Sequence, residues 1–292
     1  MRRSILYTLG LFVVVILVFF YFKYEREDTR KIIEQSKVVE IKKPLIKKQN
    51  KIIEIPTVLA TDVNQAIGYL KNYADDNDDD AKFILDNISE YPESLIKLAA
   101  NRPRSLNFVR GYIENKNKFD KIDSRPEESF NLNRKFPLYI LWDKRWGYKE
   151  YEDIYCVLGC GPTTAAMIIN GYGGNVNPLA IMDEMREKKY YIENVGTSWE
   201  GIRKILESHG IKSEDLPTVE KKYKNHLDTG NAILINVAPS KFTNIGHYML
   251  IVGYNENGFI LNDSNSIEYS QQEIKFDELS NIIRGAWTLS KN

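Results

Sequence analysis

Cysteine and histidine are scarce in this sequence. There are two of the first, Cys156 and Cys160, and three of the second, His209, His226 and His247. So few cysteines leave no disulfide framework, and a hydrophobic core has to hold the fold. With 43% hydrophobic residues over 292 positions, such a core is available. The C-x-x-x-C spacing has no second pair, so the four convergent ligands of a structural zinc site are not supplied. Net charge is missing as well. Forty Lys and Arg balance forty Asp and Glu, which removes the electrostatic case for a nucleic-acid partner. The acidic run Asp75-Asp76-Asn77-Asp78-Asp79-Asp80 lacks the Gly and terminal Glu of a calcium loop and reads as a solvated turn or helix start.

What is present begins with one long apolar run. Met1-Arg2-Arg3-Ser4 precedes an uncharged stretch from Ile5 to Phe22. A helix of about 20 apolar residues spans a bilayer, and Arg2 and Arg3 favour a cytoplasmic leading tail. The run ends in Phe19-Phe20-Tyr21-Phe22. That ending suits an interfacial aromatic belt and not the small-residue end of a cleaved signal peptide. The expectation is a single-pass anchor at residues 1–22 in the cell membrane, with the remainder extracytoplasmic.

Composition divides the rest. Residues 23–60 are charged, without a clear amphipathic period, and read as a stalk or linker. Residues 61–118 carry short helical patterns punctuated by Tyr91-Pro92 and Arg102-Pro103, which predicts a small helical subdomain of three or four helices. Residues 119–134 are polar and link it to a main domain at about 132–292. There, Phe136 to Trp142 is strand-like. Helices follow over Cys160 to Asn170, Asn177 to Glu187, Trp199 to Ser208 and Val219 to Leu227. Strands follow over Ala232–Val237, His247–Tyr254, Phe259–Asn262 and Ala286–Leu289. Helices first and strands afterwards make the expected class α+β.

The chemistry concentrates in Gly159-Cys160-Gly161-Pro162-Thr163. A cysteine opening a helix meets unpaired N–H groups and the positive end of the dipole, both of which favour a thiolate. Gly161 leaves room for a substrate backbone beside the sulfur, and first-turn N–H groups can hold an oxyanion. A buried cysteine at a helix cap fits the same spacing. A nucleophilic thiolate needs a base. His209 and His226 fall at helix carboxyl ends, where a cation caps favourably. His247 instead opens a strand, a rigid position at a domain edge. The turn-rich Asn255-Glu256-Asn257-Gly258 predicts a hairpin, which returns Asp263 to the side of His247. That is the order a Cys-His-Asp triad needs.

Several blocks carry a family resemblance. They are Trp142-Asp143-Lys144-Arg145-Trp146-Gly147-Tyr148, Gly159-Cys160-Gly161-Pro162-Thr163, Gly196-Thr197-Ser198-Trp199, Gly246-His247-Tyr248 with Val252-Gly253-Tyr254, and Asn262-Asp263-Ser264-Asn265-Ser266. In this order they resemble the C39-like cysteine peptidases, bacterial papain-like enzymes. The resemblance implies a papain-like α+β fold, a peptide or protein substrate, and no cofactor or metal. It implies Cys160 as nucleophile, His247 as general base and then acid, and Asp263 as its orienter. Two positions depart from the pattern. Leu141 stands where such enzymes commonly place a Gln of the oxyanion hole, and a leucine donates no hydrogen bond. Asp263 is followed by Ser264 where Pro is usual. The departure at Leu141 keeps a second reading open, a weak or inactive peptide- or cell-wall-binding module on the same fold.

Overall fold

A computed structural model describes residues 53–291; the expected anchor at residues 1–22 and most of the stalk lie outside them. Among the described residues no helix is long and apolar enough to cross a membrane.

Five short helices come first: α1 Val63–Asp75, α2 Asp79–Asp86, α3 Glu93–Asn101, α4 Leu106–Arg110 and α5 Tyr112–Asn115. Their starts follow local chemistry. The Asp62 side chain accepts the N–H groups of Asn64 and Gln65. Within the acidic run, Asp78 accepts the N–H of Ala81, and Asp79 and Asp80 fill the first turn of α2, so the run serves as a helix start. Pro92 is the N-cap of α3. Residues 119–134 then run without helix or strand.

The remaining helices are α6 Tyr155–Leu158, α7 Cys160–Gly171, α8 Pro178–Glu187, α9 Trp199–Ser208, α10 Glu220–Leu227, α11 Ile267–Ser270 and α12 Phe276–Ser280. Strands β1 Tyr191–Ile192 and β2 Gly196–Thr197 form a small hairpin. The main sheet contains β3 Ile211–Asp215, β4 Ile233–Val237, β5 His247–Tyr254, β6 Phe259–Asn262, β7 Glu273–Ile274 and β8 Ile283–Lys291. Its order is β3-β8-β4-β5-β6-β7, antiparallel at every pairing. The α+β expectation holds.

The sheet is buried on both faces. Leu234, Tyr248 and Leu250 join the core built on α7. Ile233, Ile235, Met249 and Ile251 join a second core with Tyr223 and Phe259. This alternation is the period of a strand, but both phases are apolar, so the strands read as continuous runs. The first core also runs unbroken from Ala60 and Leu70 through Leu95 and Tyr112 to Trp146 and Met167.

Phe136 to Trp142 forms no strand, contrary to its sequence pattern. Phe136 to Leu141 is buried, but side chains and isolated backbone bonds take the place of a ladder. Asn262 donates its amide to Phe136 O at 2.9 Å and Trp146 donates its indole N–H to Ile140 O at 2.9 Å. Aromatic and apolar content signalled burial there, not pairing. Strands β3 and β7 lie where polar residues hid the pattern: β3 is Ile-Lys-Ser-Glu-Asp, mostly solvent-facing at the sheet edge.

Tyr148 ties the early helices to the later fold. Its ring stacks on Phe108 of α4 with centroids 4.1 Å apart and planes 7° apart, and its hydroxyl donates to Phe108 O at 2.7 Å. Removing a buried aromatic of this kind costs about 3–5 kcal/mol. Tyr148→Ala is expected to lower the urea midpoint while unfolding stays one transition by far-UV circular dichroism and tryptophan fluorescence. Two separated transitions would show that α1–α5 are held independently.

Candidate active site

Cys160 is the first residue of α7, with Gly159 as N-cap. The first helical bond of the turn runs from Thr163 N to Gly159 O at 2.9 Å, so Pro162, lacking an N–H, sits where none is required. Gly161 answers to packing, not to open space beside the sulfur. A Cβ there would overlap the Thr197 side chain. The absence of a side chain lets β2 approach the helix start.

His247 opens β5, and β6 ends at Asn262, which pairs with Leu250. Asp263 therefore leaves the sheet close to the start of β5, as the hairpin predicted. His247 Nε2 lies 2.8 Å from Asp263 Oδ1. Both are buried, at 3% and 0% exposure. The same Oδ1 accepts Asn265 N–H at 2.8 Å, and Asp263 N–H donates to Ser270 Oγ at 2.9 Å. With Nε2 committed to Asp263, Nδ1 is the ring nitrogen left free for Cys160, whose proximity is among the causes that raise the His247 pKa.

The electrostatics follow from that chain. Burial pushes the His247 pKa down, but the charge of Asp263 and the bonds to Asp263 and Cys160 outweigh it and raise it to about 9. Burial likewise pushes the Cys160 thiol up. The His247 hydrogen bond and charge, with the N–H groups of Tyr248 and Gly161, bring it below its ordinary value. Cys156 is the contrast: fully buried beside Asp153, its thiol is pushed well up. A thiolate–imidazolium pair is what this arrangement favours.

Cys160 and His247 line a cavity of about 470 Å³ whose walls include Leu141, Val157, Ile245 and Asn265. Ser94, Lys97 and Arg102, from α3 and the residue after it, line it too. A larger groove of about 1080 Å³ lies at Trp199, Arg203 and Trp287, and neither Cys160 nor His247 borders it. Leu141 is buried and gives its N–H to Ser264 O at 2.8 Å, and its side chain can present only hydrocarbon to the cavity.

The other histidines stand elsewhere. His209 caps α9 and contacts Glu184 Oε2 at 3.0 Å. His226 accepts Leu289 N–H at 3.2 Å. The Asp143 of the Trp-Asp block is bound by Arg145 at 2.6 Å and by Ser129 Oγ at 2.7 Å, and Ser198 caps α9. These blocks hold the frame. Two contributors carried no sequence signal: the backbone N–H of Tyr248, which any residue provides, and Arg102, whose partners lie 140 and 163 positions away.

No curated protein matches the chain. Among solved structures, it is similar to the peptidase domain of Streptococcus ComA, a bifunctional ABC transporter of a quorum-sensing pathway (16% identity, TM-score 0.38, covering 46% of this chain and 93% of that one). A double-glycine-motif protease from an AMS/PCAT transporter, solved with a leader peptide, is similar at 13% identity and TM-score 0.33, covering 46% and 86%. A C39-like peptidase from Bacillus anthracis is similar at 11% identity and TM-score 0.36, covering 46% and 90%. The model of the Peptidase_C39 like family matches residues 136–292, more than half of the sequence, and the chain belongs to that family.

Proposed function

We propose that this protein is a thiol peptidase acting through Cys160, His247 and Asp263. One observation carries the reading: His247 is joined to buried Asp263 at 2.8 Å through one ring nitrogen, and Cys160 lines the same cavity as that imidazole. The family supplies the reaction class, hydrolysis of a peptide bond. In the reaction, Cys160 Sγ attacks the carbonyl carbon, and His247 passes its proton to the departing amine as the C–N bond breaks. Water then gives a proton back to His247 while its oxygen attacks the thioester, and the C–S bond breaks to release the acid and restore the thiolate–imidazolium pair. Asp263 keeps the imidazole turned and stabilises its cation. The first-turn N–H groups of α7 stand beside the developing oxyanion.

Leu141 supports the second reading, a binding module on the same frame. Loss of one oxyanion donor costs roughly 10² to 10³ in rate. Leu141→Gln separates the two: in a peptidase it raises kcat severalfold on a casein-derived peptide library, and in a binding module turnover stays at zero.

Iodoacetamide is expected to label Cys160 at pH 6 well above the rate of a free cysteine, whose thiol is then almost wholly protonated. Peptide mapping reads the site, and Cys160→Ala abolishes it. Labelling at the free-cysteine rate, or turnover that survives Cys160→Ala, would overturn the reading.

The pH profile has a definite sign. The raised pKa of His247 means that its protonated form stabilises the fold fully below its ordinary value near 6.5, and that this contribution is lost as pH rises through about 9. Acylation needs the same proton, so kcat/KM is expected to fall through about pH 9. Asp263→Asn can still accept the ring N–H but removes the charge. It is expected to move that alkaline limb to lower pH, and an unmoved limb would place the cause outside Asp263.

We also propose that the Ile5–Phe22 run anchors the chain in the cell membrane as a single pass, with the peptidase domain outside the cytoplasm. The full chain should stay with alkali-washed membranes and deletion of residues 2–22 should release it. Recovery of both in the same fraction would refute the anchor.

A further inference from the structure

Arg102 is the most deeply buried cation described, at 2% exposure. It follows α3, outside the stretch matched by the family model. Its guanidinium makes three hydrogen bonds, all to neutral backbone carbonyls. Nε donates to Asn265 O at 3.0 Å, one terminal nitrogen to Asn101 O at 2.8 Å, and the other to Phe242 O at 2.6 Å. Asn265 is two residues beyond Asp263. Phe242 lies in the loop, residues 238–246, that enters β5 at His247. One planar fork therefore joins the loop carrying the carboxylate to the loop carrying the imidazole and fastens both to α3.

A buried charge without a carboxylate in hydrogen-bond contact is expensive. Burial does push the Arg102 pKa down, and the negative charge of Asp263 is the main influence against it. The remaining carboxylate oxygen of Asp263, Oδ2, is buried and has no hydrogen-bond partner. Arg102 and Asp263 thus each hold an uncompensated part that the other's charge offsets through space. A structural clamp alone needs no charge; a clamp set beside an orienting carboxylate does.

The α3 segment is held to the same loop elsewhere. Asn101 takes Ala60 N–H at 2.7 Å and donates to Ala60 O at 3.0 Å, and Asn244 donates to the same oxygen at 2.7 Å. Residues 59–61 therefore sit between α3 and the approach to His247.

We propose that Arg102 is a positioning residue of the Cys160–His247–Asp263 site, and that the helices preceding the family domain are thereby a working part of the peptidase. This rests on the reading of those three residues as the reacting group. Arg102 does not touch the sulfur chemistry; it sets the separation and charge of the two loops that do.

The test is carried out on the full chain, reading the iodoacetamide labelling rate of Cys160 at pH 6 and pH 10 by peptide mapping. Facing the Cys160–His247 pair are Asp263 and Arg102, Lys97 and Asp153 on the cavity wall, and the phenols of Tyr155, Tyr191 and Tyr248, which burial raises. Glu268 and Tyr269 face Arg102. Arg102→Met keeps the stem and removes charge and fork. The pH 6 rate is expected to fall about tenfold for each unit that the thiol pKa rises, while the pH 10 rate, where the thiolate needs no partner, stays near wild type. Arg102→Lys keeps the charge but not the planar fork, and is expected to recover part of the pH 6 rate. If Arg102→Met does not fold by circular dichroism, Arg102→Lys decides: a pH 6 rate below wild type upholds the proposal. A folded Met variant, or failing that a Lys variant, with the wild-type rate at both pH values overturns it. Wild-type protein that labels no faster than a free cysteine at pH 6 would instead overturn the peptidase reading itself, so the two failures are distinct.

Discussion

The hydrogen bond between His247 and Asp263 is the constraint around which the rest is arranged. Both groups are nearly excluded from water, where an unpaired charge is costly and a paired one is tightly held. The pair exists because β5 and β6 form a tight hairpin. That hairpin is fixed in register by a sheet buried on both faces, since a slip of one residue would exchange one core for the other. The sheet supports α7 through Leu250 and Leu234, and α7 in turn presents Cys160. Packing and polar chemistry are therefore the same problem here: the two hydrophobic cores set the distance at which the imidazole meets both partners.

What was legible in the amino-acid order was local. The helix starting at Cys160, the strand starting at His247 and the hairpin after it depend on glycines, prolines and apolar runs within about a dozen residues. The Cys-His-Asp grouping followed because a hairpin is itself a local motif. Burial and strand pairing leave the same apolar trace, so Phe136–Trp142 has a strand's pattern without its ladder. An edge strand needs only one apolar face, so β3 leaves little pattern. A glycine beside a reactive cysteine suggests room for a ligand, but the constraint on Gly161 is the side chain of Thr197. Arg102 was out of reach for a different reason. Its value comes from two loops far along the chain, and an arginine before a proline reads as any helix boundary.

Leu141 bears on how the frame could work without the usual amide. Its backbone N–H is spent on Ser264 O, in the loop just after Asp263, so the residue still serves the site through its main chain. A glutamine side chain at this place would add a donor without disturbing that bond. The first-turn N–H groups of α7 already face the sulfur, where Gly161 N–H helps to hold the thiolate. Stabilising a thiolate and stabilising a tetrahedral oxyanion draw on the same donors, so in the proposed peptidase one helix start would serve both ends of the attack.

The buried charges also balance in a way that matters for the chemistry. With thiol and neutral imidazole, the enclosed groups are the Arg102 cation and the Asp263 carboxylate, and they sum to zero. Moving the proton from Cys160 to His247 adds one negative and one positive charge, and the sum remains zero. A low-dielectric interior penalises net charge more than charge that is paired at contact, so the proton can pass without a change in the total that the fold must bury. Removing the guanidinium would leave the carboxylate as a net negative charge in either state. The imidazolium would then be the one buried cation among the described residues, drawn more strongly toward Asp263, while the thiolate would face an environment of its own sign. The cation contributed by the segment ahead of the family domain thus bears on which proton arrangement the site prefers, and that preference decides whether Cys160 is a nucleophile.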